Sequence, residues 1–228
     1  MTAELPQGED KVRAVREMFD AIAPRYDLVN RLMTFRLDVR WRHRTVARLA
    51  LAPGSTIVDL ACGTGDLCRD LVKAGHRPIG IDMSYGMLAA ARTAAPLVNG
   101  DALRMPFATG SVDGLTCGFA LRNFVELAPM LAETARIVRP GGRIALLEVA
   151  TPPNPVMRFG HGIYFGHVVP RIGALLSDAD AYRYLPDSVA YLPATERLLA
   201  LIADAGFTQV SRIELTGGIA QLITATRT

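Results

Sequence analysis

The stretch TIVDLACGTGDLCRDLVKAGHRPIGID, residues 56–82, restricts the fold of this chain more than any other segment. An apolar run carrying Asp59 leads into a loop of small residues, then a helical pattern, then a second apolar run closed by Asp82. That order is the opening β-α-β unit of a nucleotide-binding α/β domain. Ala61, Gly63 and Gly65 leave little Cβ bulk in the loop, so backbone N–H groups can approach a ligand at the start of the helix. Asp82 lies about twenty residues beyond the loop at the end of the next strand, where a carboxylate accepts hydrogen bonds from ribose hydroxyls.

The dinucleotide pattern G-x-G-x-x-G fails at its last position, since Gly63 and Gly65 are followed by Cys68. NAD and FAD are therefore disfavoured. With 228 residues, half of them hydrophobic, and no composition break, the chain is expected to form one domain over 1–228. Residues 1–50 read as an N-terminal helical cap and 151–190 as an inserted substrate lid rich in apolar and aromatic residues. The N-terminus has no apolar leader, and IALLEVA and LLALIADAGF are too short to span a bilayer, so a cytoplasmic location is expected. Cys62, Cys68 and Cys117 suit neither a disulfide framework nor a zinc site, and no metal is expected. The net charge is only +3, which gives no reason to expect nucleic acid as a partner. The arginine-dense segment RLDVRWRHRTVAR, which holds Trp41, is a local basic surface. Two readings stay open for it: peripheral contact with anionic lipid at the inner face of the membrane, or a solvated helix face.

Along the chain, residues 10–50 predict helices broken near Pro24, and MSYGMLAAARTAAP predicts another. A short strand and a longer one follow within LVNGDALRMPFATGSVDGLTCGFALRNF. The next segment gives a helix, a turn at Pro140-Gly141-Gly142 and a fifth strand. ATERLLALIADAGF predicts an amphipathic helix, and the tail predicts two strands paired as a hairpin around Gly217-Gly218.

The acid in the first strand and the small-residue loop resemble motif I of class I S-adenosylmethionine methyltransferases. MFDAIAPRYDLVNRLMTFRLDVRW, VDLACGTGDL, GFALRN and ARIVRPGGRIALLE, with PRIG and DADAYRYLPDSV, resemble the UbiE/MenG family of ubiquinone and menaquinone C-methyltransferases over nearly the whole chain. The resemblance implies a Rossmann-like α/β class I methyltransferase fold, with a central seven-stranded, mostly parallel sheet, a reversed last strand and helices on both faces. It implies S-adenosyl-L-methionine as cofactor, held by Ala61, Gly63, Thr64, Gly65, Asp82, Met83, Asp101, Ala102 and Gly118, with Asp59 near its methionine end. The chain departs from the family pattern at Gly118, usually serine, at Ala120 in the GLRN motif, and at Leu222-Ile223, where the family has LH.

The activity implied is methylation of a ring carbon of a prenylated hydroquinone, demethylmenaquinol to menaquinol. Two alternatives are another phenolic or isoprenoid product of the same family and a non-catalytic cofactor-binding partner in a quinone-pathway assembly; a homodimer is compatible with each. Phenols ionise near pH 10, so a site working at neutral pH must stabilise phenolate or supply a base. Arg122 is the candidate for phenolate stabilisation, its alternative being an arginine paired with a carboxylate elsewhere. Asn123 and Tyr26, then Tyr182 and Tyr184, are candidates for orienting the ring. His161 and His167, six apart, suit no metal pair and read as packing or rim histidines.

Overall fold

The structure, a computed structural model, describes residues 7–169, 171 and 188–228. Tyr182 and Tyr184, and most of the second half of the expected lid, lie outside the described residues. The apolar runs form β1 (Thr56–Leu60), β2 (Arg77–Asp82), β3 (Leu97–Asn99), β4 (Val112–Gly118), β5 (Val138–Val149), β6 (Phe207–Leu215) and β7 (Ala220–Arg227). They join into one seven-stranded sheet in the order β3-β2-β1-β4-β5-β7-β6. Pairing is parallel except at β7, which runs antiparallel between β5 and β6. The hairpin around Gly217-Gly218 is present, and both glycines have positive φ, at 66° and 94°. At Gly218 a Cβ would lie 2.5 Å from the Pro153 ring, so the turn has no room for another residue.

Period-two alternation explains how the sheet is covered on both faces. Val58, Leu60, Ile144, Leu146 and Ile223 share one cluster with residues of α6 (Leu127–Ile137) and of α8 (Thr195–Asp204). Their neighbours Ile57, Ala145, Leu147 and Leu222 face the opposite way, against α3 (Leu37–Leu49) and α4 (Asp66–Lys73). Each fully buried aliphatic side chain in these layers contributes about 1.5–3 kcal/mol.

Two elements differ from their expected extent. The Pro140-Gly142 turn is absorbed into β5 as a bulge, because pairing with β4 jumps from Val112↔Val138 to Gly114↔Arg143. The helix after β2, α5, covers only Tyr85–Ala89 rather than running to Pro96. Its continuation is drawn to the β1–α4 loop, where Arg92 N donates to Thr64 O at 3.1 Å and Arg69 donates to Arg92 O at 2.8 Å.

The N-terminal cap comprises α1 (Gly8–Ile22), a 3-10 turn at Ala23–Arg25 and α2 (Tyr26–Met33). Pro24 starts the break, as its missing N–H dictates. Ile22, Val29 and Met33 bury themselves with Met87 of α5, which holds the cap over the C-terminal ends of the strands. Lys11 adds a tie: its Nζ donates to Phe124 O at 2.8 Å and sits 3.5 Å from the centre of the Tyr191 ring. After β5, α7 (Pro155–Ile163) starts where Asn154 accepts from Val156 N and Met157 N, and it runs into a π-helical turn at Tyr164–Val168. No described helix is long and apolar enough to cross a membrane.

Candidate active site

The order reverses at β1 and β4, and the loops leaving their C-terminal ends open there, at the switch point where α/β sheets bind ligands. Ala61, Gly63 and Gly65 all have positive φ, at 53°, 54° and 79°. Gly65 is required, since a Cβ there would lie 2.7 Å from the Thr93 methyl. This turn brings Gly63 N to within 2.8 Å of Asp82 Oδ2, while Ser84 N donates to Oδ1 at 2.8 Å. Asp82 thus joins the loops after β1 and β2. Burial raises its pKa above the usual aspartate value, against the two backbone donors that favour the anion.

A cavity of about 90 Å³ lies over these loops, lined by Ala61, Gly63, Asp82, Met83, Gly118 and Asn123 together with Phe124 and Met87. Seven of the expected site residues, counting Tyr26, therefore meet in one place. Gly118 forms part of the wall, with open room except for the Leu67 methyl 3.3 Å from the Cβ position. Asp82 is the one charged side chain among the described residues of this lining. The wall suits a ligand with a diol and a flat apolar ring, and offers no cation to a pyrophosphate.

Other expected contacts sit elsewhere. Asp59 is 1% exposed beneath the loop, where its carboxylate accepts from Thr116 Oγ1 at 2.8 Å and Cys68 Sγ at 3.3 Å. It supports the loop from behind rather than lining the cavity, and burial pushes its pKa up to about 7. The Thr64 hydroxyl points to the cap, donating to Asp27 Oδ1, and is buried there. Asp101 is exposed and accepts from Leu103 N at 2.9 Å, while Ala102 packs against the main core; neither is part of the cavity lining.

A second cavity of about 390 Å³ lies between the cap, α3 and α7. Its walls are mainly apolar, including Met18, Met33, Phe35, Trp41, Met157 and Phe165. Phe19, Tyr26 and Phe119 line both cavities, so the two meet at these rings. Phe119 has φ 60°, a left-handed conformation costing a bulky residue about 1–3 kcal/mol. It is held by its N–H on Leu147 O at 2.7 Å and its carbonyl under Arg122 Nη1 at 2.7 Å. Burial raises the pKa of Tyr26, and the nearby Asn30 side chain opposes that rise.

Arg122 lines the larger cavity, but its charge is already compensated. Nη1 is paired with Glu148, which is fully buried, Nε donates to Ser188 Oγ at 3.1 Å, and the backbone N donates to Glu148 Oε2 at 3.2 Å. Of the two readings for Arg122, phenolate stabilisation and pairing with a carboxylate, the structure shows the pairing, a buried ion pair that also holds the turn at Leu121–Asn123. Glu148 escaped the sequence reading, although a carboxylate in IALLEVA, inside an apolar strand, signals a buried partner. Phe19 and Phe119 were missed too, because an aromatic in a helix or at a strand end looks like core.

The arginine-dense helix α3 is also split by the fold. Arg42 is buried, paired with Asp38 and bonded to Asp70 at 3.0 Å and Asp66 at 3.1 Å. Arg36, Arg40, Arg44 and Arg48 remain exposed at four-residue intervals, which places them in one row.

A family model described as the ubiE/COQ5 methyltransferase family matches residues 7–227. A protein of Syntrophotalea carbinolica named ubiquinone/menaquinone biosynthesis C-methyltransferase UbiE is 39% identical over 100% of this chain and 98% of its own. A demethylmenaquinone methyltransferase of Corynebacterium kroppenstedtii is 42% identical over 96% of both chains. Among solved structures, an S-adenosylmethionine dependent methyltransferase from Mesorhizobium loti has a TM-score of 0.59 at 20% identity, covering 81% of this chain and 96% of its own. Haemonchus contortus phosphoethanolamine N-methyltransferase 2, solved with S-adenosyl-L-methionine, has a TM-score of 0.61 at 13% identity, covering 82% and 52%. These two likenesses concern the fold.

Proposed function

The chain belongs to the ubiE/COQ5 methyltransferase family, and we propose that it methylates a ring carbon of a prenylated hydroquinone, demethylmenaquinol, with S-adenosyl-L-methionine as donor. The observation that carries the reading is the meeting of a small cavity bearing one carboxylate with a larger apolar one across Phe19, Tyr26 and Phe119. Relatives about 40% identical over nearly their full length carry the matching names.

The residues of the smaller cavity fit the donor. Asp82 would accept from the ribose hydroxyls, and Gly63, Ala61 and Gly118 leave space for close approach. Met83 supplies apolar surface, with Asp101 and Ala102 on the neighbouring loop as expected adenine contacts. The absence of a cation among the described lining residues suits a ligand with positive rather than phosphate charge. When bound, S-adenosyl-L-methionine supplies an electrophilic methyl group on its sulfonium. The protein's part is to hold the ring carbon in line and exclude water, and such alignment can contribute about 7–11 kcal/mol in ideal cases. Tyr26 and Phe119 at the junction, with Asn123 on the donor side, orient the ring, while the Arg122–Glu148 pair fixes the backbone that carries Phe119 and Asn123. The larger cavity's volume lies in the ordinary range for small-molecule sites, and its lining matches a fused aromatic ring with the start of an isoprenoid tail.

The reading includes contact with an anionic lipid surface. Phe35, which lines the larger cavity, is 74% exposed and adjoins Arg36, the first of the exposed arginines. Apolar side chains rimmed by guanidinium groups suit the headgroup boundary.

The test is methyl transfer from labelled S-adenosylmethionine to chemically reduced demethylmenaquinol under argon. Carbon-methylated menaquinol is expected, and no product from protein that binds the donor would contradict the reading.

A further inference from the structure

A phenolic ring entering the larger cavity meets polar groups that are almost all engaged. Trp41 Nε1 donates to Thr216 Oγ1 at 2.8 Å, and the Tyr164 hydroxyl to Met33 O at 2.8 Å. The Thr34 hydroxyl lies between Asn30 O and Asp38 Oδ1, and Asp38 is further neutralised by Arg42. Tyr26, whose pKa burial raises, stays a protonated phenol, and Arg122, which offers only donors, is paired with Glu148. His161 is the exception. Its ring belongs to the cavity wall, lies 4.3 Å from the Phe165 ring centre, and carries a buried Nε2 with no hydrogen-bond partner among the described residues. A buried polar atom left so costs about 1–3 kcal/mol, which a ligand hydroxyl would recover. His167, six residues on, is exposed and is not part of the described lining of this wall.

We propose that His161 is the acceptor for the substrate's ring hydroxyl, taking its proton as the ring becomes nucleophilic. The O–H bond breaks, an N–H bond forms on the imidazole, and the electron pair left on oxygen delocalises to the ring carbon beside it. No oxidant or reductant enters the step. Burial lowers the His161 pKa below the usual imidazole value, which keeps the ring neutral and able to accept near pH 7. Among the described residues, the other titratable side chains on this wall are Tyr26, Asp38, Arg122 and Tyr164. The proposal rests on the quinol reading above.

The experiment compares calorimetric binding of 1-naphthol and of naphthalene to the wild-type protein, His161→Phe and His161→Gln, followed by methyl transfer to demethylmenaquinol. Naphthalene needs the cavity but no acceptor, so its binding reports that each variant is folded. The wild type is expected to prefer 1-naphthol by about tenfold or more, and His161→Phe, which keeps an aromatic ring beside Phe165, to lose that preference. His161→Gln retains an acceptor and should keep the preference while methyl transfer falls about a hundredfold, the lower end of a general base's usual contribution. A preference unchanged in His161→Phe, or wild-type turnover in His161→Gln, overturns the assignment while leaving the quinol reading standing. A wild-type protein that methylates no quinol overturns that reading and this one with it.

Discussion

Arg122 and Glu148 show how a residue's surroundings decide its chemistry. Removing the guanidinium leaves a fully buried carboxylate unpaired, so Arg122→Ala is expected to lose about 3–5 kcal/mol in urea unfolding, with Arg122→Met/Glu148→Leu recovering most of it. A loss below about 1 kcal/mol would show that the pair is not buried as described. Asp59 gives a pH signature. Its folded pKa of about 7 lies above the unfolded value near 4, so between these the folded state keeps a proton that the unfolded chain has released. Its contribution is therefore full below about pH 4 and declines by about 4 kcal/mol as pH rises to about 7. Asp59→Asn should remove that decline, and stability curves that run parallel from pH 4 to 8 would contradict it. Asp82→Ala is expected to weaken S-adenosylhomocysteine binding by about tenfold or more in calorimetry, since it removes an acceptor and frees Gly63 N; unchanged affinity would refute the ribose assignment. Asp82 was legible from spacing because strand length and loop length together set where the second strand ends. The orientation of Asp59 and Thr64 was not, since which side of a loop faces a ligand depends on partners distant in sequence, here Thr116 and Asp27.

At the scale of elements, the cap is joined to the nucleotide loops by two aspartates. Asp20 Oδ1 accepts from Ser84 Oγ at 2.6 Å and Gly86 N at 2.8 Å, while Asp27 accepts from Thr64 and lies 3.6 Å from Arg31 and 3.9 Å from Arg69. Asp27→Ala is expected to speed amide exchange in α1 and α2 while β1, β4 and β5 keep their protection. Equal protection in the cap would show that Met87 packing alone holds it. Helix positions in the cap were readable from periodicity and Pro24, whereas the early stop of α5 was not, because hydrogen bonds from a neighbouring loop outcompeted good helix formers.

At the scale of the molecule, the strands were legible nearly one for one as apolar runs between helical patterns, while their arrangement in one sheet came from the family resemblance. The β6–β7 hairpin followed from two strand-like runs closed by Gly217-Gly218, whereas the reversal of β7 came from the family resemblance. The larger cavity was not legible, as it is assembled from α1, α2, α3 and α7, whose apolar residues resemble core when taken one helix at a time. Its setting has a consequence at the surface. Arg40→Glu/Arg44→Glu should abolish cosedimentation with phosphatidylglycerol vesicles at low salt, because each exposed cation near such a surface is worth about 1 kcal/mol. Binding that persists would move the lipid contact off α3. The claim on which all of this turns is that the two cavities form one reaction site. A crystal structure with S-adenosylhomocysteine and 1-naphthol bound together tests it most directly: the ribose is expected on Asp82, with the naphthol ring beyond Tyr26 and Phe119 and the sulfur facing it. A cofactor away from Asp82, or a naphthol outside the larger cavity, would contradict it.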